Sequence, residues 1–166
     1  MQPDPQPLQP LTQSDLRGVF GRREGLELPN LDIVDWGVLD YFGWVHSSGL
    51  NGYVVIPVGD QLGGLKLRRM QNHNPRPRTH MCSWCHHVYR SRGTAMFSVE
   101  VAGSDGRRSI GNYICRNLDC SLRIRNLASD PPTYLPETID LQRKVTRLQI
   151  SMLSFLSRAN RLPDTA

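Results

Sequence analysis

Four cysteines, the whole complement of the 166-residue chain, fall into two close pairs, Cys82-Ser83-Trp84-Cys85 and Cys115-Arg116-Asn117-Leu118-Asp119-Cys120. A two-residue gap lets both thiolates of a pair turn toward one point, and a second pair then completes a tetrahedron around a d¹⁰ cation. The expected ligands are therefore Cys82, Cys85, Cys115 and Cys120 around one structural Zn²⁺. With all four positions filled by protein, no water can bind the metal and be activated, so the chain reads as a non-enzyme. Buried free thiols, two disulfides and thiol exchange at Cys82 and Cys85 are the competing readings. Disulfides need an oxidising compartment, whereas Met1-Gln2-Pro3-Asp4 opens with neither a basic segment nor an apolar run, which points to the cytoplasm.

Other chemistry finds little to build on. His80, His86 and His87 flank the first pair, but with four thiolates available they are surplus and are expected to donate hydrogen bonds around the metal or to face solvent. Aspartates and glutamates are too scattered for a paired acid and base, and no serine sits in a nucleophile elbow. Gly63-Gly64 reads as a loop or strand-edge feature, not a phosphate loop, so no small-molecule substrate is expected. No apolar run approaches the length needed to cross a bilayer.

Charge is distributed unevenly. From Lys66 to Arg125 twelve basic residues face three acidic ones, a net of +9, while the rest of the chain is net −4. A field of that sign favours nucleic acid, ribosome or an acidic protein face. Part of it also balances a tetrathiolate zinc centre, which carries about −2. Trp84, Tyr89, Arg90, Arg92, Arg107, Arg108, Arg116 and Arg123, with Arg125, form the expected contact surface, a solvated basic face being the plainer reading.

The elements that must position these residues make an α+β fold, an antiparallel β meander with flanking helices and an embedded treble-clef zinc finger. Residues 1–10 carry four prolines and read as a disordered lead. A single domain then spans residues 11–160, followed by a tail over 161–166. Thr12 is placed to cap a helix through Phe20 that Gly21 and Gly25 terminate, and a turn or short helix follows at Leu31 to Val38. Strands are expected at Tyr41 to His46, Gly52 to Val58 and Gly64 to Arg69, with Trp36, Phe42 and Trp44 as core aromatics. A polar connector, Gln71 to Arg78, leads to the zinc module at residues 79–127. There Thr94 to Ala102 and Ser109 to Ile114 pair as a hairpin across Asp105-Gly106, and a helix opens near Asp119 with Cys120 in its first turn, where free N–H groups favour a thiolate. A closing helix over 136–159 carries a stripe of Leu141, Val145, Leu148, Met152 and Phe155 toward the core.

Met81-Cys82-Ser83-Trp84-Cys85 and Gly111-Asn112-Tyr113-Ile114-Cys115-Arg116-Asn117-Leu118-Asp119-Cys120-Ser121-Leu122-Arg123 resemble the C-terminal treble-clef zinc-finger domain of the elongation-factor-G-binding proteins of the FusB type. Tyr41-Phe42-Gly43-Trp44, Tyr53-Val54-Val55 and the closing helix fit the single-domain actinobacterial form. The resemblance implies a module that binds elongation factor G and helps it leave the ribosome, without bond chemistry. The resistance proteins carry a helical domain ahead of this one, where this chain has about ten proline-rich residues and one short helix. That departure puts drug resistance in question. The alternative is an RNA- or ribosome-binding zinc finger acting through its basic face.

Overall fold

The computed structural model of the chain describes residues 7–22, 26–71, 78–128 and 136–164. Residues 1–6 of the lead, Gly25, residues 72–77 of the connector and residues 165–166 of the tail lie outside the described residues.

Order begins earlier than the proline-rich composition suggests. Leu8 is buried, and its N–H donates to the Leu39 carbonyl at 3.1 Å, so part of the lead is packed against the domain. Helix α1 (Gln13–Phe20) starts with a capping box: the Thr12 hydroxyl accepts from the Asp15 N–H and the Asp15 carboxylate accepts from the Thr12 N–H. Gly21, at φ 73, ends it. Two short 3₁₀ turns, Leu31–Ile33 and Trp36–Val38, take the place of the expected turn or helix.

Strands β1 (Phe42–Val45), β2 (Asn51–Val58) and β3 (Gln61–Arg69) form the antiparallel meander. Gly63 and Gly64 are not loop or edge residues but lie inside β3, opposite Ile56 and Val55. The tight turn at Gly59-Asp60 starts β3 at Gln61 and carries both glycines into the ladder. Gly64 is needed there because a Cβ would run into Val19 of α1. Strands β4 (His80–Met81) and β5 (Val88–Tyr89) pair around the first knuckle, and β6 (Thr94–Glu100) pairs with β7 (Ser109–Cys115) as the expected hairpin. The meander and the hairpin are one five-stranded sheet, β1-β2-β3-β6-β7, joined at Arg68↔Ser98 and Arg69↔Phe97 and by the Met70 N–H, which donates to the Met96 carbonyl at 2.9 Å.

Helix α2 (Cys120–Ile124) opens on the fourth cysteine. Helix α3 (Leu141–Arg158) begins several residues later than the closing helix expected from 136. Asp140 is its cap, accepting from the Arg143 N–H at 2.9 Å, while Glu137 lies ahead of the helix and is gripped by Arg147. Leu141 is correspondingly left 46% exposed, and the buried stripe is Val145, Leu148, Met152, Phe155 and Leu156.

The sheet has two differently covered faces. Val54, Ile56, Leu65, Leu67 and Phe97 share a core with α3 and the zinc module. On the other side Phe42, Tyr53 and Val55 pack against Leu8, Leu11, Leu16 and Phe20, with Trp36 and Trp44 partly buried at the margin. Trp44 stacks on Tyr53 at 5.1 Å and donates its indole N–H to the Glu27 carbonyl. The core placement of Trp36, Phe42 and Trp44 is thus as expected. Among the described residues, no helix is long and apolar enough to cross a membrane.

Candidate metal centre

Each cysteine pair is presented by a different local device. In the first knuckle the Cys82 N–H donates to the His87 carbonyl and the His86 N–H to the Cys82 carbonyl, both at 2.9 Å, closing a tight turn between β4 and β5. The Trp84 and Cys85 N–H groups point at the Cys82 sulfur, 3.4 and 3.5 Å away. His86 reaches this geometry at φ 61, in the left-handed region that costs a side-chain-bearing residue about 1–2 kcal/mol. His86→Gly is therefore expected to raise the melting midpoint of the zinc-loaded protein, by the equivalent of up to about 1 kcal/mol once glycine's greater unfolded-state freedom is subtracted. An unchanged or lower midpoint in a thermal melt would show that the imidazole contacts outweigh the backbone strain.

The second knuckle leaves β7 at Cys115, turns through Leu118 at φ 55, and enters α2 at Cys120. Leu118 is the peg of this turn. It packs where Gly43 of β1 and Gly52 of β2 have no side chain, since a Cβ on either would come within 2.9 Å of it. The four-residue gap thus spans a turn that docks the module on the meander. Free N–H groups in the first turn of α2 do not hold the thiolate as the sequence suggested: the Cys120 N–H goes to the buried Tyr41 hydroxyl at 3.2 Å, and those of Leu122 and Arg123 go to the Asp119 carbonyl.

The result is a compact cage of four buried sulfurs, all within 4.8 Å of one another. Cys82 and Cys120 lie 3.7 Å apart, and Cys85 and Cys115 3.4 Å. A tetrahedron with Zn–S bonds of about 2.3 Å has sulfur–sulfur edges of about 3.8 Å, so the cage fits a zinc ion with little adjustment. All four cysteines are free, and the Cys82–Cys120 and Cys85–Cys115 contacts each join one knuckle to the other. These cysteines are positioned to bind one zinc ion. Among the described residues they form the one His/Cys/Asp/Glu cluster able to do so, and none of the three neighbouring histidines joins them.

The protons of the cage show what a cation would replace. Burial and its sulfur neighbours push the Cys120 thiol well up, whereas hydrogen bonds from Cys115, Cys120 and Cys85 outweigh burial and hold Cys82 well below the ordinary thiol range. Four buried thiols cannot all ionise without a compensating charge. Two tyrosines help to accommodate the negative sulfurs. Tyr89 donates its hydroxyl to Cys115 at 3.1 Å, and Tyr41 stands by Cys120. Burial, reinforced by nearby thiolate charge, raises both phenols and keeps them protonated donors. Gly93 gives the Tyr89 ring its seat, because a Cβ there would overlap the ring.

Two arginines lock the cage to the rest of the fold. Arg147 of α3 makes a bidentate pair with Glu137 at 2.7 Å and donates to the Cys85 carbonyl at 2.9 Å, and that pairing draws the Glu137 carboxyl below its ordinary value. Arg125, just past α2, grips Asp40 in a fork of 2.7 and 3.0 Å. The Asp40 N–H in turn donates to the Ser121 hydroxyl oxygen at 3.0 Å.

The expected contact surface breaks up in three dimensions. Trp84 is fully buried and packs edge-on against Tyr41 and Phe155, since the knuckle turns it inward beneath the metal. Arg123 is 6% exposed, paired with Asp119 at 3.1 Å and set over the Tyr89 ring, so neither it nor Tyr89 belongs to an open face. Arg90, Arg92 and Arg116 are exposed at the zinc end of the β6–β7 hairpin, whereas Arg107 and Arg108 sit at its tip. Six residue steps of strand, about 20 Å, separate the two groups. Tyr41, Leu118, Arg147 and the Asp40–Arg125 pair were not singled out from sequence. The Gly43 and Gly52 interruptions of two apolar strands were the available signal for the Leu118 seat.

Residues 19–159 match the family model described as FBP C-terminal treble-clef zinc-finger. Among solved structures, that of the fusidic acid resistance protein FusC is similar in fold, with a TM-score of 0.58 and 18% identity. The match covers 92% of this chain and 60% of that one, so the chain spans about three-fifths of the FusC length. No curated protein matches the sequence.

Proposed function

The chain belongs to the FBP C-terminal treble-clef zinc-finger family, and from that membership we propose that it acts by binding translation elongation factor G in the cytoplasm and promoting its release from the ribosome. The observation that carries this reading is the family match over residues 19–159 on a fold whose four-thiolate cage is closed. A metal held by four buried cysteines has no open position for a substrate, so its work is to hold two knuckles in one shape. That role suits a docking module and offers nothing to bond chemistry.

One arrangement outside the cage has the outline of a catalytic site. His46 Nδ1 lies 2.9 Å from the Ser48 hydroxyl, and its Nε2 3.3 Å from Glu27. The Ser48 N–H also donates to Nδ1, the serine is exposed on the β1–β2 turn, and Glu27 is spent on the Ser47 hydroxyl as well. These contacts fasten a hairpin turn to the segment before β1. They do not enclose a substrate.

Calorimetric titration of the zinc-loaded protein into elongation factor G from the same cell tests the proposal. A saturable one-to-one isotherm with a Kd of about 10 μM or tighter is the expected result. Absence of heat and of co-migration at several times that concentration would remove the factor as partner.

A further inference from the structure

The two faces of the sheet are not equally clothed, and the difference falls at a definite residue. Helix α1 lies over Gly64 of β3. Two and four residues further along the same face, Lys66 and Arg68 are exposed. Paired residues share a face, so the row Arg68, Ser98, Gly111 continues that surface across β3, β6 and β7, about 10 Å from side to side. The next row holds Met96 opposite Tyr113, and Tyr113 is 38% exposed. The Met96 sulfur lies over Gly111, 3.0 Å from where a Cβ would stand, and His80 of β4 lies beside Tyr113, ring centroids 5.3 Å apart and 32° from parallel.

We propose that this open face of β3, β6 and β7 binds single-stranded RNA. Every base has a π-face that can extend a ring pair such as Tyr113–His80, and stacking of this kind tolerates any sequence. Lys66 and Arg68 stand two strands away, where a backbone leading from the stacked base would meet positive charge. The stretch from Lys66 to Arg125 that includes them is net +9, with Arg123 and Arg125 spent on Asp119 and Asp40, and the acidic residue of the β6 outer row, Glu100, is at its far end. A protein partner is the less suitable occupant, because the exposed charges of the face, Lys66 and Arg68, are both cationic and its apolar part, Met96 and Tyr113, is too small to make the desolvated centre of a protein interface. A flat, cationic sheet carrying a stacking platform matches the way open antiparallel sheets take single-stranded nucleic acid. Factor binding is read separately, by the calorimetric titration with no RNA present.

Fluorescence anisotropy of the full zinc-loaded chain with a labelled oligouridylate of about 12 nucleotides, a length within the usual single-strand site size, tests the proposal. Binding should be saturable and tighten as salt is lowered. Tyr113→Ala should weaken it about 5- to 150-fold with zinc content and melting unchanged. Lys66→Ala and Arg68→Ala should each flatten the log–log salt slope by about 0.7. Loss of the RNA signal in the native protein at low salt, or equal affinity of native and Tyr113→Ala proteins, would overturn the site. Displacement by polyglutamate as effective as that by unlabelled RNA would likewise overturn it, showing attraction to acidic polymer of any kind.

Discussion

Cys115→Ser is expected to leave the chain without stoichiometric zinc and without a cooperative thermal transition. Structural zinc in small modules contributes an apparent 10–16 kcal/mol at neutral pH, about as much as the whole stability of an ordinary domain at 5–15 kcal/mol. Here the cage also joins parts that lie far apart in the chain. Cys82 and Cys85 belong to the knuckle between β4 and β5, Cys115 ends β7, and Cys120 opens α2. The sulfurs occupy the middle of the larger core, beside Trp84 and Ile124, so unpaired buried thiols would sit where packing is tightest. Near-UV circular dichroism and a colorimetric zinc assay on the variant check this. A melting temperature within a few degrees of the native protein would contradict it. The same reasoning sets a direction for pH. Because zinc binds thiolates and displaces their protons, its affinity must fall as pH falls, and a chelator should strip the metal faster in mild acid than at neutrality.

The second large effect belongs to Asp40. Its carboxylate, with a side chain 3% exposed, holds the Arg125 guanidinium, whose side chain is 17% exposed. Removing one member of a buried pair strands the other without a counter-charge, which costs about 3–5 kcal/mol. Asp40→Ala should therefore lower stability by that order in urea denaturation of the zinc-loaded protein, toward the lower end because Arg125 keeps its bond to the Ser121 carbonyl. Replacing both partners by apolar residues of similar volume should cost less than either single change. A single-variant loss below about 1 kcal/mol would show that the pair is solvated in solution and does not tie α2 to the start of β1.

How much of this was legible in the sequence depends on the range of each interaction. The cage was readable because metal spacing is local, and two short strings fix all four ligands. Thr12 and Asp15, Asp105-Gly106, and the apolar recurrence from Val145 to Phe155 are likewise signals contained within a few residues. The union of meander and hairpin into one sheet was not readable, since it rests on two residue pairs, Arg68–Ser98 and Arg69–Phe97, and the Met70–Met96 hydrogen bond, across an intervening knuckle. The start of α3 was misplaced because Pro136 and Glu137 look like a helix opening, while the Asp140 cap and the Arg147 grip on Glu137 decide it.

The basic face was the least legible feature. Composition counts guanidinium groups without saying which are spent inside the molecule, and Arg123, Arg125 and Arg147 are spent on Asp119, Asp40 and Glu137. Arg125 and Asp40 are 85 residues apart, a separation over which a single sequence carries no pairing signal. Trp84 misled for a related reason. Polar residues and histidines surround it in the chain, but the alternating turn of a knuckle sends it inward onto Phe155.

Zinc K-edge X-ray absorption on the purified, metal-quantified protein is the most direct measurement of the account. One zinc per chain, with four sulfur neighbours at about 2.3 Å and no nitrogen or oxygen in the first coordination sphere, is the expected result. A shell containing a light-atom ligand would open a coordination position and contradict the closed, purely architectural role given to the metal, and a chain that folds fully without zinc would contradict it outright.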